Sequence, residues 1–205
     1  GNGDGRFQLP TDIAVDAQGF IYVSEYHGND RVTLWRETSV GGDFPALALG
    51  RHPQGVALQR WDSVSFQFVS VLIDGDVAGR PLRRPAALAI DQDQHLWVAD
   101  ACNHRILKFD LSGRLLAEFG EMGTEPGQLR YPYDIDITPD GNLLVCEYGN
   151  CRLQWFDTNG NSLRLWGAPG RDLGQLNSPW GALIGRDGLV FVVDSLNARI
   201  QVIRL

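Results

Sequence analysis

The stretch that decides the fold is Pro132–Phe156, which reads PYDIDITPDGNLLVCEYGNCRLQWF. Its residues Asp134–Ile137 alternate polar and apolar side chains, which is the pattern of a half-buried β-strand. A Pro-Asp-Gly-Asn turn follows, with a glycine suited to positive φ. Three further strand-like segments come next, each set off by turn-forming residues: Leu143–Cys146, Arg152–Phe156 and Ser162–Trp166. The stretch and its continuation therefore predict a unit of four short antiparallel strands.

Similar sequences begin at three other lead prolines, Pro10, Pro85 and Pro179. The steps from Pro85 to Pro132 and from Pro132 to Pro179 are both 47 residues. A fixed period of this size indicates a repeat architecture in which each unit buries its apolar face against its neighbours. Four antiparallel strands per repeat are typical of a β-propeller blade. No segment has a useful apolar period of 3.6, so we expect very little helix.

Three linked motifs recur in these units. A Gly-x-Leu/Phe-x-x-Pro motif leads into the first strand, at Gly5–Pro10, Gly127–Pro132 and Gly174–Pro179. A Val-x-Asp/Glu motif closes the second strand, and an Asn-x-Arg motif followed by Ile, Val or Leu opens the third. In these motifs the chain resembles the NHL-repeat propellers. The resemblance implies an all-β β-propeller of four-stranded antiparallel blades, which in this family usually closes as a six-bladed ring.

The repeats predict one propeller domain over residues 1–205. Its clear units are 5–36, 80–120, 127–167 and 174–205, and the intervening segment 37–80 carries no clear copy. Two interpretations of that segment stay open: a degenerate, shortened blade, or an insertion associated with an outer strand. The last unit stops at the end of its third strand, so we expect further blades or another chain to complete the ring.

Composition limits the function classes. The net charge of −7 argues against a broad nucleic-acid footprint, which normally needs a basic face. No apolar run is long enough to span a membrane. Cys102, Cys146 and Cys151 lack metal-ligand spacing, and pairing of Cys102 with Cys151 is left open. We predict no metal site and no cofactor, and an extracytoplasmic location is favoured.

Each clear unit also contains one acid, one arginine and one asparagine at fixed places. The acids are Glu25, Asp100, Glu147 and Asp194, and the arginines are Arg31, Arg105, Arg152 and Arg199. A feature that recurs in every blade serves the scaffold, so we expect the acids to pair with arginines of the same or the adjacent blade. The asparagines, Asn29, Asn103, Asn150 and Asn197, favour tight turns through side-chain hydrogen bonds to the backbone.

Residues that break the repeat are better functional candidates. They fall just after the lead prolines, in the turns between second and third strands, and in the lead-in loops before the prolines. In propellers these loops lie on one face around the central channel, which we call the channel-mouth face. The predicted ligand-binding residues there are Asp12, Tyr26, His27, His104, Arg130, Tyr133, Asp134, Tyr148 and Trp180, with Arg171 from a second lead-in loop.

Aromatic side chains beside a few charges favour a surface that binds a protein, peptide or carbohydrate. The leading hypothesis is therefore a non-enzymatic binding or scaffold module. An enzyme of the lyase or lactone-hydrolase kind, active at the channel mouth, is the alternative that the resemblance implies. RNA binding is a further alternative, and the negative net charge argues against it.

Overall fold

The computed structural model describes residues 9–26, 30–37, 47–52, 55–60 and 66–204. These residues form strands, turns and loops, with single 3₁₀ turns at Ala101–Asn103 and Ser195–Asn197. The chain separates into two compact units, Gly1–Pro85 and Ala86–Leu205. The fold is all-β and is built from antiparallel sheets of propeller-blade topology, as the repeat predicts. The six-bladed ring and the single domain stay predictions.

The first unit contains one four-stranded sheet and two hairpins among its described residues. Its strands are β1 (Leu9–Val15), β2 (Ile21–Tyr26), β3 (Arg31–Glu37), β4 (Leu47–His52), β5 (Gly55–Arg60), β6 (Phe66–Ile73), β7 (Asp76–Val77) and β8 (Arg80–Pro81). The first sheet has the antiparallel order β1-β2-β3-β6. Strands β4 and β5 pair with each other, and so do β7 and β8. In segment 37–80, β6 is thus the outer strand of the first sheet, and the β4–β5 hairpin is inserted before it.

The remaining strands form three consecutive sheets. They are β9 (Pro85–Ile90), β10 (His95–Asp100), β11 (Arg105–Asp110), β12 (Leu115–Phe119), β13 (Pro132–Ile137), β14 (Leu143–Glu147), β15 (Arg152–Phe156), β16 (Ser162–Trp166), β17 (Gly181–Ile184), β18 (Leu189–Asp194) and β19 (Arg199–Arg204). The second sheet is β9 to β12, the third is β13 to β16, and the fourth is β17 to β19. Within the described residues the fourth sheet has three strands.

Two apolar cores join the consecutive sheets of the second unit. Trp97, Ile106 and neighbouring residues of the second sheet pack against Ile135, Val145 and Phe156 of the third sheet. The opposite face of the third sheet packs in the same way against the fourth sheet, through residues such as Leu144 and Val192. Strand β14 therefore sends alternate side chains into the two cores, which explains why it is buried along its whole length.

A β-bulge shapes the start of the inner strand β13. Pro132 pairs with Glu147 and Asp134 pairs with Cys146, so Tyr133 is an extra residue in the ladder. Strand β1 has the same irregularity between Pro10 and Asp12. A bulge of this kind changes the direction of a side chain locally and is common beside binding sites.

The recurring acids and arginines pair inside their own sheets. The four ion pairs, with nitrogen–oxygen distances between 2.5 and 2.8 Å, are Glu25–Arg31, Asp100–Arg105, Glu147–Arg152 and Asp194–Arg199. All four acid side chains are completely buried. The predicted scaffold pairing thus occurs within each blade.

In the third sheet the pair also holds the lead-in loop. The Arg152 guanidinium donates hydrogen bonds to the backbone carbonyls of Thr124, Glu125 and Gln128. Asn150 donates to the carbonyl of Gly123 and to the Glu147 carboxylate. The fourth sheet repeats this pattern, in which Arg199 donates to the carbonyls of Asp172 and Gln175, and Asn197 donates to the carbonyl of Gly170. The motifs are therefore parts of one hydrogen-bonded junction.

We expect Arg152→Ala to lower the free energy of unfolding by about 1–3 kcal/mol, because it leaves the buried Glu147 carboxylate without its charged partner. Chemical denaturation followed by tryptophan fluorescence measures the change. Arg114→Ala is the matched control, since the Arg114 side chain is 76% exposed beside Asp110. The control should cost at most about 1 kcal/mol. Equal stabilities of Arg152→Ala and the unsubstituted protein would contradict the structural role.

Candidate functional site

Three of the predicted site residues form an aromatic cluster: Tyr133, Tyr148 and Trp180. The rings of Tyr133 and Tyr148 are stacked with centroids 4.5 Å apart. Trp180 meets them edge-on, with its centroid 5.3 Å from that of Tyr133 and 6.1 Å from that of Tyr148. The Trp180 side chain is also strongly exposed. The cluster therefore offers solvent a large apolar surface on side chains that hold one another in place.

Local structure explains how the three rings meet. Tyr133 is the bulged residue of β13, Tyr148 begins the turn after β14, and Trp180 directly precedes β17. The Tyr148 amide donates to the Tyr131 carbonyl at 3.0 Å, and the Trp180 amide donates to the Val193 carbonyl at 3.0 Å. Backbone hydrogen bonds thus fix Tyr148 and Trp180, and the bulge of β13 places Tyr133.

The aromatic side chains are not required by the repeat. Tyr133 and Trp180 are equivalent residues 47 positions apart, and the equivalent residue of the second sheet is Ala86. The positions 47 residues before and after Tyr148 are Ala101 and Ser195. Because the blade forms with small residues at these places, the aromatic cluster is an addition to the scaffold.

Asp134 has a structural part in this region. One oxygen of its carboxylate accepts the amide of Ile135, and the other accepts the amide of Ala182 at 2.8 Å. Asp136 accepts the amide of Ile184 at 2.7 Å in the same way. These carboxylates join β13 to the inner strand of the next sheet, and contact of Asp134 with a ligand stays a prediction.

His104 lies beside Tyr131 and not in the aromatic cluster. It adopts a left-handed conformation with φ of 58°, and its Nδ1 accepts the Tyr131 amide at 3.1 Å. Cys151, the equivalent residue of the third sheet, also has positive φ, and its Sγ accepts the Ser178 amide at 3.4 Å. The same acceptor position is therefore filled by imidazole in one blade and by a thiol in the next. Sequence inspection missed Tyr131, although it stands immediately before a lead proline.

Arg130 packs against the turn that holds Tyr148. Its amide donates to Glu147 and its carbonyl accepts the Gly149 amide. Gly149 is required there because a Cβ atom would lie 2.6 Å from the Arg130 Cγ.

Burial lowers the pKa of the His104 imidazole below its ordinary value, and the nearby Arg130 charge acts in the same direction, while Asp100 opposes both.

The other predicted residues are distributed over both units. Asp12 lies in β1, where its carboxylate accepts the amide of Ile13 as Asp134 does for Ile135. Tyr26 is the last residue of β2, and His27 lies outside the described residues. Arg171 is exposed in the loop before β17. The structure thus brings together Tyr133, Tyr148 and Trp180, and the channel-mouth grouping of the remaining residues stays a prediction.

A different concavity of about 390 Å³ lies at the other end of the same sheets. Its lining includes Asp140, Asn142, Trp155 and Arg164, with the Arg164 guanidinium 5.8 Å from the centre of the Trp155 ring. None of the predicted site residues lines it. Asp140 there accepts hydrogen bonds from Thr138 and Asn142, so its polar groups already serve the turn.

The parts of the chain that the structure describes also bear on metal binding, disulfide formation and membrane insertion. No group of three or more His, Cys, Asp and Glu side chains is placed to hold a metal ion there. Cys102, Cys146 and Cys151 are free thiols, and burial raises the pKa of Cys146. Among the described residues, no helix has the length and apolar character needed to cross a bilayer.

The repeat geometry agrees with a family match. The profile of the NHL repeat matches residues 82–109 and 129–156, which contain the three inner strands of the second and third sheets. The chain carries NHL repeats. The two matched segments begin 47 residues apart, which is the period that the lead prolines define.

Solved structures share the fold of this NHL-repeat chain at low identity. A catalytically inactive virginiamycin B lyase from Staphylococcus aureus with quinupristin is 14% identical, with a TM-score of 0.60 over the whole chain and 58% of the lyase. An auxiliary nutrient binding protein from Bacteroides thetaiotaomicron is also 14% identical, with a TM-score of 0.58 over 95% of the chain and 47% of that protein. The chain therefore spans about half the length of these proteins, and the likeness shows the fold alone.

The His104 geometry predicts a pH-dependent stability. Since the folded pKa of His104 lies below its unfolded value, the native state binds fewer protons. Its contribution to stability is complete above the ordinary pKa of about 6.5 and declines as the pH falls towards the lower folded pKa. The variant His104→Cys copies the Cys151 arrangement. We expect its free energy of unfolding to decrease less than that of the unsubstituted protein when the pH is lowered from about 7.5 to about 5. Denaturation midpoints across this range measure the difference, and parallel curves would refute the assignment.

Proposed function

We propose that this NHL-repeat chain is a non-enzymatic binding module that holds a protein, peptide or carbohydrate partner on the aromatic cluster of Tyr133, Tyr148 and Trp180. The observation that carries the proposal is the contact of three aromatic rings at positions where the repeat needs none. Aromatic side chains cover much area with few rotatable bonds, which keeps the entropy cost of binding low. Loops on a rigid scaffold are also the usual place for binding residues.

The scaffold role of the charged residues supports the same proposal. Glu147, Arg152 and Asn150 are used by the junction with the lead-in loop, and Asp134 is used by backbone amides. The exposed indole of Trp180 is thus left available for a partner. Apolar contact with an aromatic platform suits the faces of sugar rings and the side chains of peptides.

An enzyme is the second candidate, favoured by the virginiamycin B lyase among the proteins of similar fold. Fold does not imply function, so this candidate requires a direct assay. Quinupristin, which accompanies the inactive S. aureus lyase, is a suitable probe. Conversion of quinupristin by the purified chain, followed by mass spectrometry, would favour the enzyme. Binding without conversion would support the module.

The binding proposal is tested with a glycan array and a displayed peptide library. Affinities of the selected ligands are then measured by titration calorimetry. Trp180→Ala and Tyr133→Ala should each weaken binding by about 5-fold to 150-fold, corresponding to about 1–3 kcal/mol for an anchor residue. Leu165→Ala, on the outer strand β16, is the control and should leave affinity unchanged. Loss of binding in the control together with unchanged binding in both aromatic variants would place the site on the outer strands and refute the proposal.

A further inference from the structure

The concavity of about 390 Å³ lies between the third and fourth sheets, and none of the three rings of the aromatic cluster lines it. Its walls come from the turn between β13 and β14, from β15 and β16, and from β17 and β18. We call it the inter-sheet cleft, and its lining includes Pro139, Asp140, Trp155, Leu163, Arg164 and Ile184. The volume is within the range that small-molecule binding sites occupy.

A β-bulge supplies the side chains that β16 contributes to the cleft. Trp155 pairs with Arg164, and the register then shifts so that Leu163 is an extra residue in the ladder. A bulge places two residues of one strand against one residue of its partner, and all three of these residues line the cleft. Ile184 and Val190 of the fourth sheet complete an apolar wall.

The guanidinium of Arg164 carries a charge that the described part of the chain does not balance. Its carbon lies 5.8 Å from the centre of the Trp155 ring, and no hydrogen bond or ion pair joins Arg164 to another described residue. Asp140 also lines the cleft, but its two carboxylate oxygens accept hydrogen bonds from Thr138 and Asn142. The hydrogen-bond donors of Arg164 are therefore available to a ligand.

The second sheet shows how a similar cation is balanced within a blade. The Lys108 ammonium lies 4.7 Å from the centre of the Trp97 ring and 3.7 Å from a carboxylate oxygen of Asp91. The residue 47 positions after Asp91 is Thr138, so the third sheet has no carboxylate at that place. The cation and the tryptophan are thus present in both sheets, but in the third sheet Arg164 lacks the anion.

Trp155 and Arg164 are also departures from the repeat. The residues 47 positions earlier are Lys108 and Ala117, and they belong to a complete four-stranded sheet. Trp155 packs into the apolar core between the third and fourth sheets, which holds its ring in place, whereas Arg164 is exposed. The blade therefore forms without this pair, and the pair adds a fixed aromatic ring beside an available positive charge.

We propose that the inter-sheet cleft binds a small monocarboxylate with a flat apolar body, of the aromatic carboxylic acid class. The carboxylate accepts two parallel hydrogen bonds from the Arg164 guanidinium, a geometry for which arginine is suited. The apolar body lies against Trp155, Leu163 and Ile184 and displaces water from them. The ligand thus supplies the anion that Asp91 supplies in the second sheet.

Asp140 limits the ligand to one negative charge. Its hydrogen bond from Thr138 lowers the pKa of its carboxyl group, so Asp140 is ionised at neutral pH. A second anionic group on the ligand would be repelled by this carboxylate. We therefore expect a monocarboxylate to bind more tightly than a dicarboxylate of similar shape.

The test is a titration of the full chain with phenylacetate, followed by two-dimensional NMR of the backbone amides. Saturable shift changes should occur at Leu163, Arg164 and Ile184, with a Kd below about 5 mM, which ordinary ligand efficiency gives for a molecule of this size. Phenylacetamide has the same body without the charge and should bind about tenfold more weakly or worse. Phenylsuccinate, which has two carboxylates, should also bind more weakly than phenylacetate.

Arg164→Gln should weaken phenylacetate binding by about 10-fold to 100-fold, because the hydrogen bonds to a charged group are lost. The rest of the spectrum should stay unchanged, since Arg164 is exposed. Leu163→Ala, on the apolar wall, should weaken binding by about threefold to tenfold. Arg114→Gln is the matched control, because it removes an equally positive, 76% exposed side chain before β12 and should leave the Kd unchanged.

Four results would overturn the proposal. The first is no saturable shift at about 5 mM phenylacetate. The second is equal affinity for phenylacetate and phenylacetamide, and the third is an unchanged Kd in Arg164→Gln. The fourth is tighter binding of glucuronate than of phenylacetate, since the cleft would then select a polar sugar acid and not an apolar body.

Discussion

The buried carboxylate–guanidinium pair of each blade is the interaction on which the rest of the structure depends. An ion removed from water costs several kcal/mol unless charge and hydrogen bonds replace the solvent. In the third sheet, the Glu147 carboxylate receives hydrogen bonds from Arg152, Asn150, Gln154 and the Arg130 amide. The same arginine and asparagine also hold the lead-in loop, so the pair fixes where the inner strand begins. The bulge, the turn and the loop that form the candidate site are all positioned from this junction.

Further polar residues near the candidate site are also used by the scaffold. His104 and Cys151 differ chemically, yet both accept an amide from the residue 27 positions later. Asp134 ties two neighbouring sheets together through the amide of Ala182. The scaffold does not use the surface of the aromatic cluster, above all that of Trp180. Binding chemistry in this region is therefore expected to depend on shape and apolar contact more than on charge.

The equivalent acids of the third and fourth sheets differ in environment. Burial raises the pKa of Glu147 more than its hydrogen bonds lower it. Burial also acts to raise the pKa of Asp194, but hydrogen bonds from the Asn177 amide and from the side chains of its own junction hold it below its ordinary value. The two junctions have equivalent partners, and the acid is a glutamate in the third sheet and an aspartate in the fourth. The third sheet packs against an apolar core on each of its faces.

The sequence by itself determined the strands, the turns and the acid–arginine pairing, because these depend on local alternation and on recurrence every 47 residues. The sequence left two interpretations open for segment 37–80, which supplies the second partner strand of β3. That strand is β6, and the long insertion between β3 and β6 has no sequence pattern that predicts their pairing. The meeting of Tyr133 with Trp180 required the stacking of two sheets, because the residues are 47 positions apart. Only the tertiary structure decided which apolar faces are covered. Phe191 follows the same strand pattern as the buried Leu144, and periodicity records that a face is apolar but not whether a neighbour packs on it.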